Sequence, residues 1–296
     1  MTPQVAALIE RPDARLPAAA EIASLPFFPQ EDYQCGPASL AEVLVHNGIE
    51  ASSDALVKEV YVPAREGSLQ AEMLAAARRH GLVAYRLSPR IDDLLREVAA
   101  GTPVIVLENL AFGFAPLWHY AVVAGYDLPH EEIVLRSGVT RRLVMTLSNF
   151  ERVWARGGYW AMAAMPARRL PASIEPDSYV DAIAALERID PRAALAAYET
   201  LLERWPGHLI ARLGEGNASY ALRDLARAEI SYRRAVEFHP DAADAWNNLA
   251  QVLLERQRNA EALEAARKAV AIGGPRLPQY QATLSEINAV GSRPEH

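Results

Sequence analysis

One cysteine, Cys35, stands among 296 residues. That excludes an internal disulfide, so cysteine usage carries no report of an oxidising compartment. Metal-ligand spacing is also missing: the seven histidines are scattered and no second thiol accompanies them. Basic charge is in deficit, with 30 Lys and Arg against 37 Asp and Glu and a net charge of −7. This balance argues against nucleic acid or an anionic membrane surface as partner. No Gly-rich phosphate loop occurs, and no apolar run is long enough to span a bilayer. The apolar stretch Val5 to Ile9 is cut short by Glu10, Arg11, Asp13 and Arg15, so it does not read as a signal peptide. The expected compartment is the cytoplasm; a chain whose leader had been removed would instead be periplasmic or attached to the envelope. No cofactor is expected.

Hydrophobic residues make up 51% of the chain, enough to bury a real core, and the length suggests one large or two medium domains. Residues 1–24, rich in Ala and Pro, read as a poorly ordered arm. Helical patterns then precede strand-like ones. Leu40, Val43 and Leu44 open the first helix, which stops at Asn47-Gly48. A second starts at Ser52/Ser53, and a third follows Gly67 with Ser68 as its N-cap. Leu82–Leu87 alternates like a strand, and Ile91–Ala100 is helical. Val104–Leu107, Trp118–Tyr126, Glu132–Leu135, Arg142–Met145 and Tyr159–Ala164 read as strands. Ser148 and Glu151 form a capping-box pattern for a short helix between the last two. Helices first and antiparallel strands afterwards describe an α+β domain over 25–165. Pro166, Pro171 and Pro176 punctuate a linker over 166–177.

From about 178 to 290 the pattern is helical, alanine-rich and repeated. Ala194, Ala228 and Ala262 are spaced by 34 residues, as are Leu201, Ala235 and Ala269, and Pro206 and Pro240. Ala182, Gly216 and Ala250 keep the same period. Small residues recur where two helices of a hairpin approach most closely, and proline recurs where the second helix ends. The stretch resembles the tetratricopeptide repeat: three units, with 278–290 as a helix capping the last apolar face. Such arrays hold peptides or partner proteins in a concave groove.

Cys35 lies in Pro29-Gln30-Glu31-Asp32-Tyr33-Gln34-Cys35-Gly36-Pro37-Ala38-Ser39-Leu40, at or just before a helix N-terminus. Pro37 suits a first helical turn, where a missing N–H costs nothing. The partial positive charge of the terminus favours a thiolate, and an imidazolium would favour it further. Gln30, on the loop into this turn, is a candidate donor to an oxyanion beside the sulfur. Most lone cysteines are small buried hydrophobes, but core cysteines rarely sit between charged loop residues and a helix start.

His46 is on the cysteine's own helix, roughly 16 Å away at 1.5 Å per residue, and is out of reach. His80 ends a helix, His130 sits in a turn, His208 and His239 belong to the repeats, and His296 is the last residue. His119 remains, in Trp118-His119-Tyr120-Ala121-Val122-Val123-Ala124-Gly125-Tyr126-Asp127, at the mouth of a strand after a long loop.

Together these two stretches resemble the papain-like cysteine peptidases of the bacteriocin-processing, double-glycine leader type. The resemblance implies Cys35 as nucleophile, His119 as general base and then general acid, Gln30 as oxyanion donor, and amide hydrolysis through a thioester. The chain departs from that pattern twice. Its glutamine precedes the cysteine by five residues, where such enzymes more often use six. Its strand after the histidine ends Val134-Leu135-Arg136-Ser137-Gly138, without the usual aspartate. Asp127 is no substitute, at roughly 26 Å along one strand. In a hairpin turning at Pro129-His130, positions opposite His119 fall near 137–140, so Ser137, a backbone carbonyl or Asn109 would orient the ring. The expected protein is an α+β papain-like thiol peptidase followed by an all-α repeat solenoid that recruits substrate or partner. The alternatives are a peptidase-like adaptor that binds peptides without cutting them, and a thiol acyltransferase or amidase on the same fold.

Overall fold

The computed structural model describes residues 1–29, 34–111 and 115–291. The chain divides into two compact units, Met1–Ala182 and Ile183–His296.

The first unit begins with α1 (Pro3–Glu10) and β1 (Ala19–Glu21), where the sequence suggested a poorly ordered arm. Two distant partners order it. The buried carboxylate of Glu151 accepts from Thr2 Oγ1 and from the backbone N–H groups of Gln4 and Val5, which satisfies donors left open at a helix start. β1 pairs antiparallel with residues 125–127. Then come α2 (Cys35–His46), α3 (Ser53–Val60), β2 (Tyr61–Val62), β3 (Gly67–Ser68), α4 (Gln70–Arg79), β4 (Val83–Arg86) and α5 (Ile91–Ala99). Ser68 is not an N-cap: it belongs to a two-residue strand paired with Tyr61, and α4 starts beyond it.

The strands are β5 (Val104–Asn109), β6 (Trp118–Asp127), β7 (Glu132–Ser137) and β8 (Thr140–Thr146), followed by α6 (Leu147–Arg156) and β9 (Ala161–Met165). With β1 and β4 they form a seven-stranded sheet in the order β4-β9-β5-β6-β7-β8, β1 pairing with β6. The cap of α6 is Thr146, whose Oγ1 accepts from the Asn149 N–H. Ser148 lies inside the first turn, because Glu151 is drawn inward to hold α1 and does not complete a capping box. Segment 166–177 is packed on the first unit. Ser173 donates through its N–H and its hydroxyl to Glu97 Oε1, both at 2.7 Å, and the Glu175 N–H donates to Tyr85 Oη.

Seven helices follow: α7 (Pro176–Glu187), α8 (Pro191–Arg204), α9 (Leu209–Ala221), α10 (Leu225–Phe238), α11 (Ala243–Glu255), α12 (Asn259–Ile272) and α13 (Leu277–Gly291). Asp190 and Asp224 cap α8 and α10 through their side chains. The 34-residue period has a steric cause. A Cβ on Gly216 would stand 2.3 Å from the Tyr232 ring, so α9 and α10 touch where only glycine fits. Ala228 and Ala262 are fully buried at equivalent points of their hairpins. Ala262→Leu forces extra volume into that contact and lowers stability by about 1–3 kcal/mol. Urea unfolding of the full chain checks this; an unchanged midpoint would contradict the packing described.

Candidate functional site

The N-terminus of α2 and the first residues of β6 build one cleft. Cys35 is the first residue of α2, and Gly36 brings that turn against β3. A Cβ at Gly36 would lie 2.4 Å from Ser68 Oγ and 2.6 Å from Ser68 Cβ, so the Cys-Gly pair is a close-approach requirement. Tyr120 closes the same corner: its hydroxyl donates to the Ser68 carbonyl at 3.2 Å, and its ring meets Trp160 edge-on at 5.7 Å.

Cys35 and His119 line a cleft of about 910 Å³ that also includes Arg65, Leu69, Leu110, Leu117 and Trp118. The polar contacts of the two side chains run to different partners. The backbone N–H of Tyr120, the residue after His119, points at the sulfur, as do those of Gly36 and Cys35 itself. On His119, Nε2 lies 2.9 Å from Ser137 Oγ. The β6–β7 hairpin makes that contact. Val122 pairs with Arg136, which puts Ser137 one step further, on the His119 side of the pleat. Asn109, the other candidate orienter, is occupied elsewhere: its Oδ1 accepts from the N–H groups of Ala111 and Leu117 and shapes the loop between β5 and β6. Gln30 lies outside the described residues.

The electrostatics differ from the expectation drawn from the helix terminus. Burial pushes the Cys35 thiol above its ordinary value, and the three N–H groups only partly offset this. Burial also holds His119 below its ordinary value. Both shifts favour the uncharged forms, because a site shielded from water penalises a thiolate and an imidazolium alike. The resting pair is therefore thiol and neutral imidazole. A proton can pass between them only as new charge is compensated.

Three contributors were not singled out from the sequence. The Tyr120 N–H is a backbone group with no sequence signature, and the meeting of Ser68 with Gly36 depends on the fold. Glu108 is the third: it is 1% exposed and pairs directly with His119 across β5 and β6. A lone acid inside the run Val104–Asn109 is a visible oddity, but its neighbour appears only once the strand register is known. Among the described residues, no group of three His, Cys, Asp or Glu side chains could hold a metal ion, and no helix is long and apolar enough to cross a membrane.

Comparison with known proteins agrees with this division. Residues 22–162 match the Peptidase_C39 like family, and residues 179–243 and 231–276 match the tetratricopeptide repeat. Among solved structures, a C39-like peptidase from Bacillus anthracis is 21% identical, with 50% of this chain and 97% of that one covered and a TM-score of 0.41. The peptidase domain of Streptococcus ComA is 20% identical, covering 48% and 98%, also with a TM-score of 0.41. MamA from Desulfovibrio magneticus RS-1 is 21% identical, covering 40% and 66%, with a TM-score of 0.36. Among curated proteins, stress-induced-phosphoprotein 1 of Caenorhabditis elegans is 30% identical over 83 residues, which is 28% of this chain and 26% of that protein. The chain thus spans about a quarter of the curated relative it matches. An α+β domain with a C39-like fold, at residues 22–162, is thus followed by tetratricopeptide-like helices at residues 179–276.

Proposed function

We propose that the first unit is a thiol peptidase acting on peptide or protein substrates, and that the repeats of the second unit recruit the substrate or a partner. The observation that carries this reading is the shared cleft: Cys35 at a helix start and His119 on a strand end face the same space, with Ser137 on Nε2 of the imidazole. That leaves Nδ1 for the thiol. As Cys35 Sγ attacks the scissile carbonyl carbon, His119 takes the S–H proton and negative charge develops on the carbonyl oxygen. Gln30 is the proposed donor to that oxygen. Collapse of the intermediate breaks the C–N bond, and the leaving amine takes the proton from His119. Water then attacks the thioester, its proton passing to His119 and returning to the sulfur as the acid leaves. The exposed side chains of Leu69, Leu110, Leu117 and Trp118 on the cleft suit an extended peptide with apolar side chains.

A second reading has its own support. The thiol is pushed up, and a neutral serine stands where a carboxylate would stabilise imidazolium. A domain of this kind that binds peptides without cutting them is an adaptor. Cleavage of a mixed peptide library, read by mass spectrometry, separates the two. The peptidase reading expects new termini from the wild-type protein and none from Cys35→Ser. Peptide retention by both proteins with no cleavage by either would leave the adaptor. Product amides or esters in place of free acids would indicate acyl transfer.

A further inference from the structure

The structure brings one more acidic group to the site. Glu108 and His119 are direct cross-strand partners, and such partners project to the same sheet face with Cβ atoms about 4.5–5.5 Å apart. Ser137 reaches the same imidazole. Glu108 Oε1 is buried and has no hydrogen-bond partner. Buried carboxylates are normally paired, so one left open beside a histidine calls for a role. The charged groups on the packed elements are engaged elsewhere. On α6, Arg156 Nε donates to the Asn109 carbonyl and Glu151 holds α1, while Arg152 bonds Asn149. On α2, Glu42 accepts from the Phe28 N–H. On α5, Arg96 pairs with Asp92 and Asp93, and Glu97 holds Ser173.

We propose that Glu108 is a positioning residue whose negative charge stabilises the imidazolium of His119 as it accepts the Cys35 proton, so that the site is switched on by deprotonation of Glu108. The inference rests on the peptidase reading and goes beyond it, because it supplies from β5 the carboxylate missing at position 137. Glu108 acts through His119 and does not touch the substrate. Burial pushes the Glu108 carboxyl up to about 7. Below that pH it is neutral and gives His119 no help; above it the charge is present and the proton transfer from sulfur is favoured.

The test is the rate of Cys35 alkylation by iodoacetamide against pH, with thermal unfolding run beside it. In the wild type the rate should rise through an inflection near the Glu108 value. Glu108→Gln keeps the shape and removes the charge. Its rate should match the wild type at pH 5.5 and fall about tenfold below it at pH 8, roughly the effect of one pKa unit on His119. Glu108→Asp should restore part of the rate. Superimposable profiles would overturn the proposal, as would a constant ratio at every pH, which a merely structural change gives. Should Glu108→Gln fail to fold, the wild-type inflection decides, since it must vanish in His119→Ala. If His119→Ala leaves the whole profile unchanged, the peptidase reading itself has failed, a result distinct from a silent Glu108→Gln.

Discussion

Replacing His119 with alanine should lower kcat for peptide cleavage by about 10²- to 10⁴-fold, the range set by loss of a general base. The expectation is large because Cys35 gains little nucleophilicity unaided. Burial keeps its proton on, and a thiol is a far weaker nucleophile than a thiolate. In the proposed mechanism His119 removes that proton during attack and returns it to the leaving amine, so both chemical steps would lose their catalyst. The pH profile carries the sign of the His119 shift. Neutral imidazole is the form that the proposed mechanism needs, and burial favours it by holding the ring below its ordinary value. In Glu108→Gln, where no carboxylate beside His119 titrates, the acid limb of kcat/KM should therefore fall below the ordinary histidine value of about 6.5. A limb at or above that value in Glu108→Gln, or a His119→Ala protein with wild-type turnover, would contradict the assignment.

Trp154→Ala should be among the most destabilising single changes in the first unit, at about 3–5 kcal/mol. Trp154 is fully buried on α6 and stacks on Phe150 at 5.5 Å. Its Nε1 donates to the Trp160 carbonyl at 2.9 Å. Truncation opens a ring-sized void and removes that bond. Trp160 in turn meets Tyr120, whose backbone N–H reaches the sulfur, so the loss spreads towards the cleft. For a unit of this size the melting temperature should drop by roughly 2–4 °C per kcal/mol. Calorimetry that resolves the two units would show the first transition moving and the second staying in place.

Residues 118–127 and the 34-residue repeat were readable from the sequence because period and alternation are local signals. The strand register was readable only in outline. A hairpin turning near Pro129 was enough to put Ser137 within reach of His119, yet the same register on the other side, joining Glu108 to His119, depends on a loop whose length fixes no pairing. Partners far along the chain hid the rest. Residues 1–24 look loose until Glu151 closes α1 and β6 accepts β1. The proline-marked segment after 165 looks free until Glu97 ties down Ser173. The thiol misled for a different reason: a helix N-terminus is visible in sequence, but the burial that outweighs it is a property of packing.

The central claim, that His119 activates Cys35, is tested most directly by the second-order rate of Cys35 alkylation by iodoacetamide at pH 7, located by peptide mapping, in the wild-type protein and in His119→Ala. The account predicts that the wild type reacts at least about tenfold faster, because only a neighbouring base can deprotonate a thiol whose ionisation burial opposes. Equal rates in the two proteins would contradict it.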